Sequence, residues 1–457
     1  MTRKKDGFLL ILTLFTVTFF IYRDFDIRML YGFALLGVFL LSAFVLRIRN
    51  AQPLEQHSVR GAMLFLAVVL LLSFLRPDSQ HSADTLSWIL SMLICTAFVW
   101  LSLENEAESK RSLNVLLFAA AAMTAFVLLA RLFPEQVYSL LYPRLSPVAQ
   151  HYFDYFLPFG YGLSLGGYTF TDYVIFAGIA VCWGRIAAAK QRSWRDLGWL
   201  GLIFLFGFAI LTLGRRGELL MAVVLCGLMV LLLCSWKMRI ALIVGGTAGV
   251  LGFLWLFVRF LPQFKEIDFL YRYVRTIENL VNGYDFTSGR TGLYALAIEG
   301  FRSSPLFGIG FDQFYTLVNP LLTDIEGKVM QDTHNIYLQM LCETGLVGTV
   351  LILGPLFWLL FITFRTLQAA RRQEEKRGVE ALTVSLLIQS YLLSLGLLDP
   401  TFQKIVFWCF YGVSAMLLLG GIRQSGCQPR GPLTSLFDRL SGLLTAALGP
   451  MFRRKPE

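Results

Sequence analysis

Charge is scarce in this chain: Asp, Glu, Lys and Arg make up 15% of its 457 residues, against roughly a quarter in an ordinary soluble domain. That scarcity argues against the reading its length alone suggests, about three soluble domains. Histidine is scarcer still. There are four, and none stands in an HxxxH or HExxH spacing, so no zinc site of that kind is expected. The seven cysteines form no CxxC pair; Cys95, Cys182, Cys226, Cys234, Cys342 and Cys409 lie in apolar runs and Cys427 in the C-terminal tail. They read as small apolar fillers, not as a metal, redox or disulfide framework. No Walker A sequence occurs, and GIGF at 308–311 is followed by no third glycine and flanked by no βαβ pattern, which disfavours a nucleotide enzyme. The basic start MTRKKDGFLLILTLFTVTFF is not followed by a small-residue cleavage site but by Tyr22, Arg23 and Asp24. It reads as an uncleaved first span, and a secreted enzyme is disfavoured too.

What the chain has is apolar length. Hydrophobic residues make up 56% and aromatics 14%, and the mean hydropathy is +0.63. A bilayer-spanning helix takes about 20 mostly apolar residues. Twelve such runs are predicted, at 7–22, 29–46, 61–75, 86–103, 113–131, 169–186, 197–213, 219–235, 240–260, 335–364, 381–398 and 405–421. Runs this long exclude the short alternating strands of a membrane barrel, and lipid leaves an open backbone no alternative to the helix. The expectation is an all-α integral membrane protein with negligible strand.

The net charge of +10 (40 Lys and Arg against 30 Asp and Glu) follows from the excess of basic residues in cytoplasmic loops, not from nucleic-acid binding. With the N terminus cytoplasmic, most Lys and Arg fall on inner segments, among them Arg47, Arg49, Arg60, Lys110, Arg111, Arg371 and Arg372. Both termini are therefore predicted to be cytoplasmic. Residues 1–260 then carry nine spans with an external loop near 132–168. Residues 261–334 form a large external loop between the ninth and tenth spans, 335–421 hold the last three spans, and 422–457 form a basic cytoplasmic tail, helical near 433–447. The large loop is too long to be structureless. FKEIDFLYRYVRTIENL repeats apolar residues every three to four positions and suits an amphipathic helix lying on the membrane, and SGRTGLYALAIEGFRSSP reads as a second helix ending before Pro305.

Candidate chemistry lies at the external ends of spans. Arg215 and Arg216, in TLGRRGELL, sit where basic residues are disfavoured. Two readings fit them: an anion site, since a guanidinium fork suits phosphate at a helix start, or a salt bridge to Glu218 with snorkelling to the interface. His334, in QDTHNIYLQMLCETGLVG, stands where the long loop re-enters the bilayer, with Asp332 two residues away; a histidine there suits a general base or a structural role. His57 falls on the cytoplasmic side, and His81 and His151 lie in external loops without comparable company. Arg290, in TSGRTG, is flanked by glycines that permit close approach of a ligand, or is an ordinary solvated arginine. Glu343 either faces a cavity and holds an arginine or makes a structural buried pair; Asp172 and Asp399 are weaker candidates of that kind. An enzyme facing outward meets no cytoplasmic nucleotides, so a glycosyl or acyl donor would arrive activated on a lipid.

The RRG turn at 215–217, SGRTGLYALAIEGFRSSPLFGIGFDQF at 288–314 and THNIYLQMLCETGLVG at 333–348 resemble the O-antigen ligase/polymerase superfamily, convincingly over about 200–365. The resemblance implies a multi-span, metal-independent, cofactor-free glycosyltransferase of the bacterial inner membrane, with its active site facing the periplasm. Such an enzyme moves a glycan from an undecaprenyl-diphosphate carrier to an acceptor hydroxyl. It implies His334 as the catalytic residue and Arg216 and Arg290 as holders of the donor diphosphate, with Arg215 as an extra neighbour; Glu343, Asp332 and Glu218 are the supporting residues read from the sequence itself. Arg215 stands where a small hydroxyl residue often precedes RG, so the key contact of the pair is open. Ligase-like activity with lipid A–core as acceptor is the favoured expectation, and polymerisation onto another lipid-linked repeat the alternative. A transporter or flippase of another class remains, because twelve spans with both ends inside also suit a carrier. The polar residues cluster on one external surface, which favours an enzyme.

Overall fold

The computed structural model describes residues 57–452, except 78, 80–82, 102–105, 157–160, 166, 190, 192, 235, 285–289, 319–331 and 374–376. The predicted spans 7–22 and 29–46 lie outside the described residues. Among those described, regular structure is entirely helical, and each of the ten remaining predicted spans is a helix. In chain order the helices are α1 Ser58–Phe74, α2 Ala83–Leu101, α3 Glu106–Leu132, α4 Pro134–Leu141, α5 Pro147–Phe156, α6 Tyr168–Ala188, α7 Trp194–Thr212, α8 Arg216–Leu233 and α9 Trp236–Arg259. There follow α10 Asp268–Val281, α11 Arg290–Ser303, α12 Ile336–Arg371, α13 Val379–Leu395, α14 Ile405–Ser425 and α15 Pro432–Phe452. Among the described residues six helical stretches are long and apolar enough to cross a membrane: Ser109–Leu132, Tyr168–Ala188, Trp194–Thr212, Arg216–Leu233, Ile336–Arg371 and Val406–Ser425. The segment 132–168, expected from the sequence to be an external loop, holds α4 and α5.

The chain divides into two compact units; one holds Leu116–Ser288, and the other holds the described residues up to Val115 and those after Ser288. In the Leu116–Ser288 unit, α6 packs along α7 and α8 and is buried almost all round, as befits a helix apolar on every face. Phe204 (79% exposed) on α7 and Val223 (60%) on α8 point outward, a surface suited to lipid rather than water. The amphipathic α10 does not lie free. Its apolar side joins Val274 to Leu261, Phe264 and Ile277, and its Phe269 meets Phe208 of α7 edge to face at 6.2 Å.

In the other unit α12 packs on α1, α11 and α13, and α14 on α13 and α2. Polar side chains tie the interior: the Ser385 hydroxyl donates to the Ser414 carbonyl at 2.7 Å, and the Gln389 amide to the hydroxyls of Thr363 at 3.1 Å and Ser385 at 2.9 Å. Such bonds join helices where apolar surface alone gives no preference for protein over lipid.

Two elements differ from expectation. The tenth predicted run is not one continuous helix: α12 is broken at Gly345, whose φ of 64° and ψ of −171° are non-helical. The cause is the segment 305–310. Leu346 N–H donates to the Pro305 carbonyl at 2.9 Å and Val347 N–H to Leu306 at 3.1 Å, while Ile309 and Gly310 N–H donate to Cys342 and Glu343 carbonyls, each at 3.0 Å. The tail is also more than a basic extension. Phe437 of α15 is 4% exposed, its ring 4.6 Å from that of Trp358 and 5.9 Å from that of Phe65. Gly61 of α1 lies directly against the Phe437 carbonyl. Arg60, counted on sequence as a basic residue of an inner segment, is 1% exposed within α1, its Nε 3.5 Å from the Val99 carbonyl oxygen that accepts from it.

Candidate functional site

The RRG turn is built by helix termination. α7 ends on Gly214, at φ 74°, the left-handed conformation glycine supplies at a helix C-terminus, and α8 starts at once with Arg215 as its N-cap. A helix end leaves carbonyls without intrahelical donors. Here α10 supplies them: Tyr273 OH donates to the Leu211 carbonyl at 3.3 Å, and Arg272 Nη1 to the Gly214 carbonyl at 2.7 Å.

Arg215 forms an ion pair with Glu218, one turn along α8, and its Nε lies 3.5 Å from Asp172 Oδ2 on the buried face of α6. The salt-bridge reading of Arg215 is therefore realised, with a second carboxylate added. Arg216 donates to the Thr276 hydroxyl, which itself donates to the Arg272 carbonyl at 2.7 Å. The Arg272 guanidinium lies over the Tyr161 ring, 3.6 Å from its centroid. Burial, then the positive charges of Arg216 and Arg215, push its pKa down to about 10, against the favourable Tyr161. Burial, then Asp172 and Glu218, push the Tyr273 phenol up. Three guanidiniums thus face two carboxylates within one unit, leaving a positive excess.

The second cluster gathers around the turn between α13 and α14. Asn335 caps α12, its side-chain oxygen accepting from the N–H groups of Tyr337 at 3.1 Å and Leu338 at 3.2 Å. The Ile336 N–H donates to the Gly396 carbonyl at 2.8 Å, which fixes the start of α12 against the end of α13. His334, one residue earlier, has a φ of 50°. For a non-glycine residue that conformation costs about 1–2 kcal/mol, and such strain gathers at functional sites. Asp332 holds it: Oδ1 accepts from the His334 N–H at 2.9 Å. The same oxygen lies 3.5 Å from His334 Nδ1, and Asp399 Oδ1 lies 3.9 Å from that nitrogen. Lys404 pairs with Asp399. Nδ1 is sealed from solvent while the side chain is 29% exposed, so the accessible edge of the ring carries Nε2. Arg290, at the start of α11, donates through Nη1 to the Leu398 carbonyl at 2.8 Å, which brings it to the residue next to Asp399.

Residues 200–353 match the family model described as O-antigen ligase. Over those residues, about a third of its length, the chain is similar to the O-antigen ligase/polymerase superfamily. No curated protein matches the chain. The superfamily segment contains Arg215, Arg216, Glu218, Arg290, Asp332, His334 and Glu343, all residues selected from the sequence, and ends before Asp399 and Lys404.

Of those residues, Arg290, Asp332 and His334 meet at the α13–α14 turn, whereas Arg215, Arg216 and Glu218 belong to the Leu116–Ser288 unit. Among the described residues Glu343 is paired with no arginine. It is 1% exposed and accepts from the N–H groups of Asp312 at 3.0 Å and Phe314 at 3.2 Å and from the Gln339 amide at 3.1 Å, tying the segment after GIGF to the superfamily helix α12. Arg272 and Lys404 were missed on sequence. A signal for Arg272 existed: it and Thr276 stand four residues apart on the polar side of an amphipathic helix, where side chains neighbour one another.

Proposed function

We propose that this protein is a membrane glycosyltransferase of the O-antigen ligase kind, acting on the periplasmic face of the bacterial inner membrane. Its donor is a glycan on undecaprenyl diphosphate and its acceptor a hydroxyl of lipid A–core. The observation that carries the reading is the His334 turn, where the ring presents Nε2 while Nδ1 faces two carboxylates. Both carboxylates are half-buried and stand at 3.5 and 3.9 Å without a hydrogen bond to Nδ1, a placement suited to an acid that orients a histidine base once the substrates are bound.

Each side chain then has a task. Nε2 of His334 accepts the proton of the acceptor hydroxyl as its oxygen attacks the anomeric carbon. The new glycosidic bond forms as the bond from that carbon to the carrier diphosphate breaks, with inversion, and the diphosphate leaves with the bonding pair. Arg216 and Arg290, with Arg215 assisting, hold the diphosphate and oppose the charge that builds on it. Asp332 and Asp399 keep the ring in orientation and face the positive charge it gains. A diphosphate leaves readily, so no carboxylic acid of the glycosidase type is needed.

The test is transfer by purified protein from lipid-linked glycan, with lipid A–core in one arm and a single-repeat carrier in the other. Product in the first arm, lost in His334→Ala, is expected. Product in the second arm alone replaces the ligase with a polymerase. Full activity of His334→Ala removes the base, and glycan movement across liposomes without a new glycosidic bond turns the reading to a flippase.

A further inference from the structure

The amphipathic helix α10 carries more than the apolar side that docks it. Arg272 is fixed at two points, by the Gly214 carbonyl at 2.7 Å and by the Tyr161 ring at 3.6 Å. A guanidinium has five N–H donors in a planar fork, and a single carbonyl uses one. Among the described residues Nε and Nη2 make no hydrogen bond, and neither is sealed from solvent. Stacking removes most of the conformational entropy that an arginine otherwise loses when it engages a ligand. The Thr276 hydroxyl links the Arg272 backbone to the Arg216 side chain, so Arg216 of α8 is anchored to the turn of α10 that carries Arg272. Arg215, by contrast, is matched to Asp172 and Glu218.

We propose that Arg272 is a phosphate-binding residue, its clamped fork acting with Arg216 on a diphosphate group, while Arg215 chiefly holds the turn through its two carboxylates. This deepens the glycosyl-donor reading above and rests on it for the identity of the diphosphate. The chemistry recognised is a phosphate ester dianion or polyanion, and two sources supply one: a prenyl diphosphate and the headgroup of an anionic phospholipid. A single charge-assisted bond to a buried guanidinium changes affinity by roughly ten- to a hundredfold.

The experiment titrates the full-length protein in detergent with inorganic pyrophosphate and with farnesyl diphosphate, and measures retention of phosphatidylglycerol in parallel. Arg272→Gln is expected to weaken both diphosphates by about tenfold or more. Arg272→Lys keeps a charge and a donor for the Gly214 carbonyl but loses the fork, and is expected to fall between Gln and the parent. Its melting point, read alongside, separates lost binding from lost folding. Unchanged diphosphate affinity in a folded Arg272→Lys together with Arg272→Gln overturns the proposal. So does selective loss of phosphatidylglycerol with both diphosphates unaffected, which reassigns the residue to a lipid headgroup. If the parent transfers no glycan yet loses pyrophosphate binding through Arg272→Gln, the phosphate site stands and the transferase reading fails alone.

Discussion

Replacing Gly345 by alanine tests whether the break in α12 is a designed joint. At φ 64° and ψ −171° the backbone occupies a region that only glycine enters freely, and the cost elsewhere is about 1–3 kcal/mol. A Cβ there would also stand 2.4 Å from both the carbonyl carbon and oxygen of Leu306, main-chain atoms that no rotamer change moves aside. Four backbone hydrogen bonds cross this joint, from Leu346, Val347, Ile309 and Gly310, each worth about 1 kcal/mol net. Loss of half of them with the strain gives a destabilisation of about 3–5 kcal/mol. Gly308→Ala strikes the same joint from the other side, its Cβ 2.3 Å from the Glu343 carbonyl carbon. The double variant should therefore cost clearly less than the sum of the two, because both remove one contact. Tryptophan-monitored unfolding in detergent measures the stability. Maleimide labelling in a variant retaining only Cys342, which is 0% exposed beside Gly300, reads local opening. A Gly345→Ala protein as stable as the parent, with Cys342 still protected, refutes the reasoning.

Asp399→Asn should lower kcat while leaving donor affinity within about twofold, because the change removes charge facing the His334 ring and leaves the arginines in place; steady-state kinetics with varied donor separates the two. Phe437→Ala empties a site between Phe65 and Trp358 and should cost about 3–5 kcal/mol, seen as early proteolysis after α14; an α15 as resistant as in the parent counts against its docking. The Tyr142 phenol donates to Asp154 at 2.6 Å, and that bond, ahead of any burial, pushes its pKa up to about 12. The bond supports the fold below the ordinary phenol pKa of about 10, and the support is lost as pH rises through 12. Asp154→Asn should bring the ionisation of Tyr142 down towards its ordinary value, measured as the ultraviolet difference between proteins with and without Tyr142→Phe.

The helices were legible because lipid demands long apolar runs: among the described residues ten helices coincide with predicted runs, although α3 starts and α12 ends seven residues beyond the run. What the runs conceal is where they bend. Gly345 sits in an apolar stretch where a glycine is unremarkable, and the segment that forces the break lies 35–40 residues earlier in the chain. Asp399 is a weaker candidate than Glu343 on sequence, and 65 residues separate it from His334. In space Asp399 faces the histidine and Glu343 holds a loop. The α10 periodicity was visible, but which carbonyls its arginine would meet depends on the tertiary path of residues 211–214. Arg215 and Arg216 stand out on sequence because they break the rule of charge placement, Arg290 because glycines flank it, and His334 because it stands with Asp332 at the end of the long loop.

The left-handed backbone at His334 sets which inactive variant is useful for capturing the complex. Alanine deletes the ring but must hold an unfavourable φ with little to recommend it there, so the turn that also places Asp332 is free to relax. Asparagine tolerates that conformation well among non-glycine residues, carries no titratable proton acceptor, and is short enough to leave the carboxylates where they stand. His334→Asn is accordingly the form in which an unreacted donor and acceptor can be frozen together for direct imaging.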